Sequence, residues 1–439
     1  MSSKLAPPLE PRLQRRYESL VADHVDIAQS TASGIHALPD VATAFAHAQG
    51  AWRFFNNNRV TYGDLMKPLL EAARQGVASD CRDHVLVVHD WSFLTYKAHA
   101  SKKDRAVLSS SGKPSGYEIL ASLAISDRDG SPLAPLAMSL RCGQGTHCTR
   151  TSKLRKTISP LDEVTATIEH VEAHQLDRPM VHIIDAEADS VGHFRQWDAL
   201  GRRFLVRSDD RLAVWEGIEQ RFSVIHQELR RQKRFRHTRQ VRYHGKRAWQ
   251  FVCETQVVLT RPAQRNRPAK GDRRRIPGRP LTLRLVISEV RSAGGKVLAV
   301  WYLLSNVESK VSTAKLALWY YWRWKIEDYF KLLKSCGMQL ESWQQQTAPA
   351  IMRRLLVASM ACVTVWRLKR SKHPRADKVR RLLVRLSGRQ MKPNVTHTIP
   401  ALLAGLQLLL KMLTALENYT LEELLEAMAV ALPNYSADP

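Results

Sequence analysis

The segment L-W-Y-Y-W-R-W-K-I-E-D-Y-F-K-L-L-K carries Tyr320, Arg323, Glu327 and Lys334 at offsets of 0, 3, 7 and 14. At about 100° per residue on a helix, these four fall within an arc of about 60°. One stripe would then present a phenol, a guanidinium, a carboxylate and an ammonium. Two further acids, Asp90 and Asp185, close the short apolar runs H-V-L-V-V-H-D and M-V-H-I-I-D, which read as buried strands. Strand ends in an α/β sheet are where functional side chains are displayed. Three carboxylates suit hard divalent ions, and paired ions stabilise the attacking and leaving oxygens of an in-line phosphoryl transfer. Beside them, Arg323 can fork onto phosphate oxygens, Lys334 can act as a point charge and Tyr320 can donate a hydrogen bond. Plainer readings stay open: an i,i+4 ion-pair ladder, an aromatic core, or acids that only form turns and caps. Glu187 and Asp189 are alternatives to Asp185, which is preferred because it comes first off the strand.

Elements must position these groups. Residues 1–75 read as helical, through E-P-R-L-Q-R-R-Y-E-S-L-V and A-T-A-F-A-H-A-Q-G-A-W-R-F-F, with a break from Ser30 to Pro39. From Asp83 the pattern turns to α/β. Glu118 to Asp127 and Arg203 to Ser208 read as strands, and Leu161 to His174 has helical spacing. The pieces W-Q-F-V-C-E-T-Q-V-V-L and L-T-L-R-L-V-I-S-E-V are strand-like, and from Val311 the chain reads as long helices. Thr420 with Glu423 makes a capping box for the last clear one. His89 should point to the sheet face opposite Asp90. C-G-Q-G-T-H-C, Cys142 to Cys148, fits no common zinc spacing.

The chain has 439 residues with 67 Lys+Arg against 41 Asp+Glu, a net charge of +26, and 44% apolar residues. That composition excludes wholesale disorder, and the length predicts two or three domains. Residues 211–300 hold 22 Lys+Arg and 6 Asp+Glu, so +16 of the charge falls there. Its densest part, Arg261 to Pro280, is rich in Pro and Gly and reads as a basic loop; Arg230 to Arg242 could be strand or helix. Such charge points to a polyanion, with nucleic acid preferred over a membrane surface because no clean basic amphipathic helix accompanies it. A solvated face is the plainer alternative. Absence of an uninterrupted apolar run of about 18 residues argues against a spanning helix. The first residues lack a secretory pattern, and six cysteines are too few for a disulfide framework. A soluble, strongly basic cytoplasmic protein is expected.

Tyr-x2-Arg-x3-Glu-x6-Lys, matched in full here, resembles the signature of the insertion sequence 4 (transposon 5-like) transposases, DDE enzymes with a ribonuclease H-like core. D-W-S-F-L-T-Y from Asp90 and D-A-E-A-D from Asp185 are similar to the family's first and second acidic segments. F-L-V-R-S with Arg207 and V-W-Y-L-L-S with Trp301 follow in the family's order, and the resemblance runs from about Glu10 to Leu356. At the N-terminus the family has adjacent arginines after Asp-Pro. Here Glu10-Pro11-Arg12-Leu13 has Leu at the second position, with Arg16 retained.

The resemblance implies an α/β ribonuclease H-like catalytic core interrupted by a basic mainly-β insertion, with N-terminal and C-terminal helical domains. Residues 1–75 would form a DNA-binding domain and 76–345 the core, with the insertion at about 209–305; residues 346–439 would form a helical domain for dimerisation. Asp90, Asp185 and Glu327 are the implied catalytic residues and ligands of two Mg²⁺ ions, with Mn²⁺ able to substitute. Tyr320, Arg323, Lys334 and Arg207 are implied to hold DNA near a hairpin. Trp301 would stack on a flipped base, and Arg12 and Arg16 would contact the element's ends. The implied function is cut-and-paste transposition by a homodimer acting on inverted-repeat ends and target DNA, without a membrane. Two alternatives stay open: a catalytically inactive DNA-binding protein derived from a transposase, and a nuclease of the same fold.

Overall fold

A computed structural model describes residues 5–26, 41–96, 99, 101–107, 114–264, 275–334 and 338–431 of the chain. The middle of the expected basic loop, 265–274, and the whole of the expected break between Ser30 and Pro39 lie outside the described residues. In chain order the helices begin with α1 (Pro11–Asp26), α2 (Val41–Asn56), α3 (Tyr62–Asp80), α4 (Pro160–Glu172), α5 (Val191–Ala199) and α6 (Phe222–Arg231). They continue with α7 (Thr313–Trp322), α8 (Lys325–Lys334), α9 (Ala348–Arg370), α10 (Ala376–Leu386), α11 (Ile399–Asn418) and α12 (Leu421–Ala431). The first strands are β1 (Val85–Thr95), β2 (Ala106–Val107), β3 (Pro114–Ser126), β4 (Pro132–Cys142), β5 (Gly145–Cys148) and β6 (Thr151–Arg155). Then come β7 (Met180–Ile184), β8 (Phe204–Ser208), β9 (Leu212–Trp215), β10 (Ile218–Arg221), β11 (Arg236–Tyr243) and β12 (Lys246–Leu259). The two-residue pieces β13 (Ala263–Gln264) and β14 (Arg275–Ile276) pair with each other, and β15 (Leu281–Arg291) and β16 (Val297–Ser305) complete the set.

These elements form two compact units, one of Met66–Lys97 and Asp104–Asp328, the other of Met1–Leu65, Ala98–Lys103 and Tyr329–Pro439. The first unit is mixed α/β, built on one large, mostly antiparallel sheet in the order β10-β9-β12-β15-β16-β8-β7-β1-β3-β4-β5-β6. At its centre, β1 runs parallel to β7 and antiparallel to β3, and β7 runs parallel to β8. Strands flanked on both sides read as continuous apolar runs, and Val85–Val88 and Met180–Ile184 are buried throughout. Crossovers α4 and α5 link β6 to β7 and β7 to β8. Ser159 caps α4 by accepting from the Asp162 amide, with Pro160 in the first turn. The main core packs Val164 and Ile168 of α4 and Phe194 and Trp197 of α5 against Leu120, Ile184, Phe204 and Val206.

One expectation is corrected here: β1 does not end at Asp90, because Trp91–Thr95 keep pairing with β3, as far as Thr95 opposite Gly116. In the basic run left open between strand and helix, Arg230 and Arg231 end helix α6 and Arg236–Tyr243 forms β11. The strands of the basic stretch extend the core sheet, because β16 pairs with β8 from Tyr302 opposite Ser208 to Ser305 opposite Leu205. Trp215 Nε1 donates to Thr255 Oγ1 at 2.9 Å, tying β9 to β12 within this extension.

The second unit is helical. Its central helix, α9, carries two buried arginines. Arg353 donates to the carbonyls of Val60 and Phe55 at 2.8 and 2.9 Å, closing the carbonyl end of α2. Arg354 lies over the Trp343 ring at 4.1 Å and donates to Nε2 of His24 at 3.3 Å. Burial, and then the Arg354 charge, push His24 down to about 3, so it is neutral and able to accept. Helices α9 and α11 are long and apolar enough on average to cross a membrane, which a search for uninterrupted apolar runs does not register. In α9 that window is 89% buried inside the fold, as in a core helix; in α11 it is 28% buried. The Thr420–Glu423 capping box forms, with Glu423 N donating to Thr420 Oγ1 and Thr420 N to Glu423 Oε2.

Helices α10 and α11 meet at Gly405, where an added Cβ would stand 1.9 Å from the Leu383 carbonyl oxygen. Backbone cannot yield as a side-chain tip can. Gly405→Ala is therefore expected to cost about 1–3 kcal/mol or more, the range for overpacked sites. Urea unfolding of the purified variant measures this, and an unchanged midpoint would show that the helices separate freely.

Candidate active site

Register brings the first two acids together. The last parallel pair between β1 and β7 is His89 opposite Ile184, so Asp90 and Asp185 are the next residue on each strand. Neighbouring strands lie about 4.8 Å apart, so the carboxylates share one end of the sheet centre. Beyond this point β1 continues, while β7 stops and Asp185 caps the short 3₁₀ turn Ala186–Ala188, accepting from the Ala186 amide at 2.6 Å.

The third acid arrives from α8. Sequence spacing places Tyr320 to Lys334 on one continuous helix; instead α7 ends at Trp322 and α8 begins at Lys325. Between them the amides of Arg323 and Ile326 donate to the carbonyls three residues back, at 3.0 and 3.1 Å, so the turn tightens. Arg323 therefore occupies the joint, with Tyr320 in the last turn of α7 and Glu327 in the first turn of α8.

From that joint the Arg323 guanidinium reaches all three acids. Nη1 lies 3.1 Å from Asp90 Oδ2, and Nη2 lies 2.9 Å from Asp185 Oδ2 and 3.2 Å from Glu327 Oε1. Its side chain is 6% exposed, against 18%, 21% and 30% for Asp90, Asp185 and Glu327. Asp185 Oδ1 also takes Arg207 Nε at 2.9 Å and the Tyr320 hydroxyl at 3.2 Å. Trp301 packs its ring 5.9 Å from that of Tyr320. Asp90, Asp185, Glu327, Tyr320, Arg323, Arg207 and Trp301 thus gather in one unit. Lys334 falls in the other unit, where its ammonium lies 3.9 Å from Glu341. Arg12 and Arg16 lie there too, on α1: Arg12 is exposed, and the Arg16 guanidinium covers the face of Gly50.

Electrostatics follow from this crowding. Burial, reinforced by the charges of Asp185 and Glu327, pushes Asp90 up to about 6 despite Arg323 and the Trp91 amide. Burial, and then the Asp185 charge, also raise the Tyr320 phenol, which stays protonated and able to donate. For Arg323 burial acts to lower the pKa, but Tyr320 and the three acids outweigh it, so the cation is secured. The alternatives to Asp185 are otherwise occupied. Asp189 accepts from Ser208 Oγ and the Asp209 amide and pairs with Arg211 at 2.7 Å, pinning the end of β8 that carries Arg207. Glu187 points outward and is exposed.

Behind the site runs a buried chain that residue spacing did not single out. Glu172 Oε1 lies 3.0 Å from His182 Nε2, His182 Nδ1 lies 2.9 Å from His89 Nε2, and His89 Nδ1 lies 2.8 Å from Ser122 Oγ. Burial, and then the neighbouring His182, hold the His89 pKa well below the usual imidazole value, so His89 is neutral, with one ring nitrogen donating and the other accepting along the chain. The chain staples β3, β1, β7 and α4 directly beneath the two aspartates. Its available signal was a histidine one residue before Asp90 and another three before Asp185.

Three carboxylates are the donor type that hard divalent ions take. In kind the residues fit. In geometry the acids stand around the guanidinium, and among the described residues no three His, Cys, Asp or Glu side chains are grouped to hold an ion as they lie. Asp90, Asp185 and Glu327 would be the ligands, and Arg323 would hand them over.

The raised Asp90 pKa has a sign. A carboxyl that holds its proton more tightly folded than unfolded loses stability as pH rises from about 4 to about 6, and the loss is complete above that. Asp90→Asn removes the buried charge while keeping the shape. In chelator the variant should be more stable than the parent at pH 8, by about 2–3 kcal/mol for a shift of about two units. The difference should vanish below pH 4. Thermal melts across that range check it, and a variant less stable at pH 8 would refute the assignment.

Comparison with known families matches the transposase DDE domain over residues 82–361. Among solved structures, the chain is similar to the piggyBac transposase synaptic complex with hairpin DNA, at a TM-score of 0.39 and 13% identity. That alignment covers 96% of this chain and 76% of the other. Comparison with curated proteins gives no match. The matched domain begins just before β1 and runs through all three acids into α9, so the chain belongs to the DDE transposase family.

Proposed function

We propose that this chain is a cut-and-paste DNA transposase of the insertion sequence 4 type, with Asp90, Asp185 and Glu327 as its catalytic acids. One observation carries the reading: three carboxylates from β1, β7 and α8 converge on a single guanidinium. The central order β4-β3-β1-β7-β8, three antiparallel strands followed by two parallel ones, supports a ribonuclease H-like core.

Divalent ions held by the three acids, two Mg²⁺ or Mn²⁺, would supply Lewis acidity to the attacking and leaving oxygens. The chain's own residues do the rest. Arg323 is caged by carboxylates and carries a planar fork, so it can turn from them to phosphate oxygens when DNA enters. Tyr320 donates its hydroxyl, and Arg207 adds a half-exposed cation at the same edge. Trp301 offers a face on which an unstacked base regains about 1–3 kcal/mol. Lys334, Arg12 and Arg16 are assigned to the DNA backbone by the family resemblance alone.

The reaction sequence needs no external energy source, because each strand transfer exchanges one P–O bond for another. Water first cleaves a strand and frees a 3′-hydroxyl. That oxygen attacks the opposite strand, forming a hairpin and releasing the flanking DNA; water reopens the hairpin, and the 3′-ends then join target DNA. Two ends call for two copies. Exposed Leu413, Leu416, Leu421 and Leu425 on α11 and α12 offer an apolar face for that pairing.

The test is incubation with Mg²⁺ or Mn²⁺ and a DNA bearing inverted-repeat element ends. The parent should yield hairpin and excised product. Asp90→Asn and Glu327→Gln should each lower cleavage by at least about 10³-fold, as loss of an essential charge-stabilising group does, while retaining DNA binding. Equal cleavage by parent and variants would favour the inactive DNA-binding alternative, and hydrolysis without joining would favour a nuclease.

A further inference from the structure

The net charge has a second home. Residues 367–392 hold eleven Lys and Arg and a single acid, Asp377. That leaves ten net positive charges at the corner from the end of α9 through α10, in the helical unit. Only part of this charge has a structural task. Arg380 turns inward, donating from Nη1 to the carbonyls of Leu368, Lys369 and Ser371 at 2.9–3.1 Å and from Nη2 to Asp377 at 2.6 Å. One guanidinium therefore closes the end of α9 and pairs with the lone acid, whose charge also reaches Arg381.

The opposite face of α10 is different. Ala376 and Leu383 are buried, and Leu383 packs against α11 at Gly405, which fixes the rotation of the helix. Lys378, Arg381 and Arg385 are thereby turned to solvent. At offsets of 0, 3 and 7 they form one stripe, about 10 Å long at 1.5 Å per residue. Among the described residues none of the three forms an ion pair. Arg375, Arg389 and Lys392 extend the exposed positive surface at both ends.

We infer that α10 is a sequence-neutral docking surface for the phosphate backbone of duplex DNA, separate from the acid site. Charge complementarity selects the occupant. A 10 Å stripe spans about three base-pair steps of 3.4 Å, so three cations can each neutralise a phosphate. Contacts to phosphate oxygens position DNA and carry no sequence information. A lipid surface would need a broad free apolar face beside the cations; Ala376 and Leu383 are buried in the fold, which leaves Val379 and Leu382 as the exposed large apolar side chains of α10, a narrow strip beside the wider cationic one. The inference rests on the reading of the chain as a DNA enzyme.

Fluorescence anisotropy of the full chain, with a labelled duplex that lacks inverted repeats, tests it across a salt series. Lys378→Gln, Arg381→Gln and Arg385→Gln combined should make the slope of log K against log salt shallower by about 2–3, at about 0.9 per phosphate contact. Each single exchange should lower it by about 0.9, which keeps the test valid if the triple variant folds poorly. Arg381→Lys with Arg385→Lys should leave the slope unchanged. An unaltered slope in the glutamine variants overturns the docking surface alone. Loss of binding to phosphatidylserine vesicles, with duplex binding intact, also overturns it in favour of a lipid partner. A parent chain that binds no duplex even at low salt would overturn both this inference and the transposase reading.

Discussion

The parallel pairing of β1 with β7 is the constraint on which the site depends. It sets His89 opposite Ile184, and the next residue on each strand is then an aspartate. A slip of one residue would send one carboxylate through the sheet to the packed face, because side chains alternate. The buried chain from Ser122 through His89 and His182 to Glu172 works against such a slip, since its four groups sit on four different elements and meet only in this register. Back face and front face are thus coupled: histidines below hold the acids above.

Arg323 resolves the electrostatic problem that this register creates. Three carboxylates in a partly buried site repel one another, and the guanidinium at the α7–α8 joint meets all of them. The compensation is incomplete, as the raised Asp90 pKa shows. A site with uncompensated negative charge is suited to receive a cation, and the same frustration costs stability at rest.

Much of this was legible in residue order, for identifiable reasons. Val85–Val88 and Met180–Ile184 are buried on both sides, so their patterns are unbroken. Ser159 and Thr420 announce helix starts because capping is local chemistry. The misread features depend on partners distant in sequence. The continuation of β1 past Asp90 comes from β3, and the joint between α7 and α8 leaves the three-residue spacing intact, so periodicity alone cannot detect it. Asp185 is preferred to Asp189 in the chain because it comes first off the strand, and the placement of Ser208 and Arg211 gives Asp189 its separate task. The charge on α10 escaped notice because the denser stretch at 211–300 accounted for most of the excess.

The union of β16 with β8 has a mechanical consequence. Arg207 lies opposite Leu303, two residues from Trp301, within one hydrogen-bonded ladder. Backbone pairing therefore sets the two residues at a fixed spacing, and the ion pair with Asp185 anchors the guanidinium at its end of that span. Under the proposed function, a nucleotide engaging both would meet a rigid ruler, and distortion would fall on the bound strand, whose backbone bends far more cheaply than a sheet can shear.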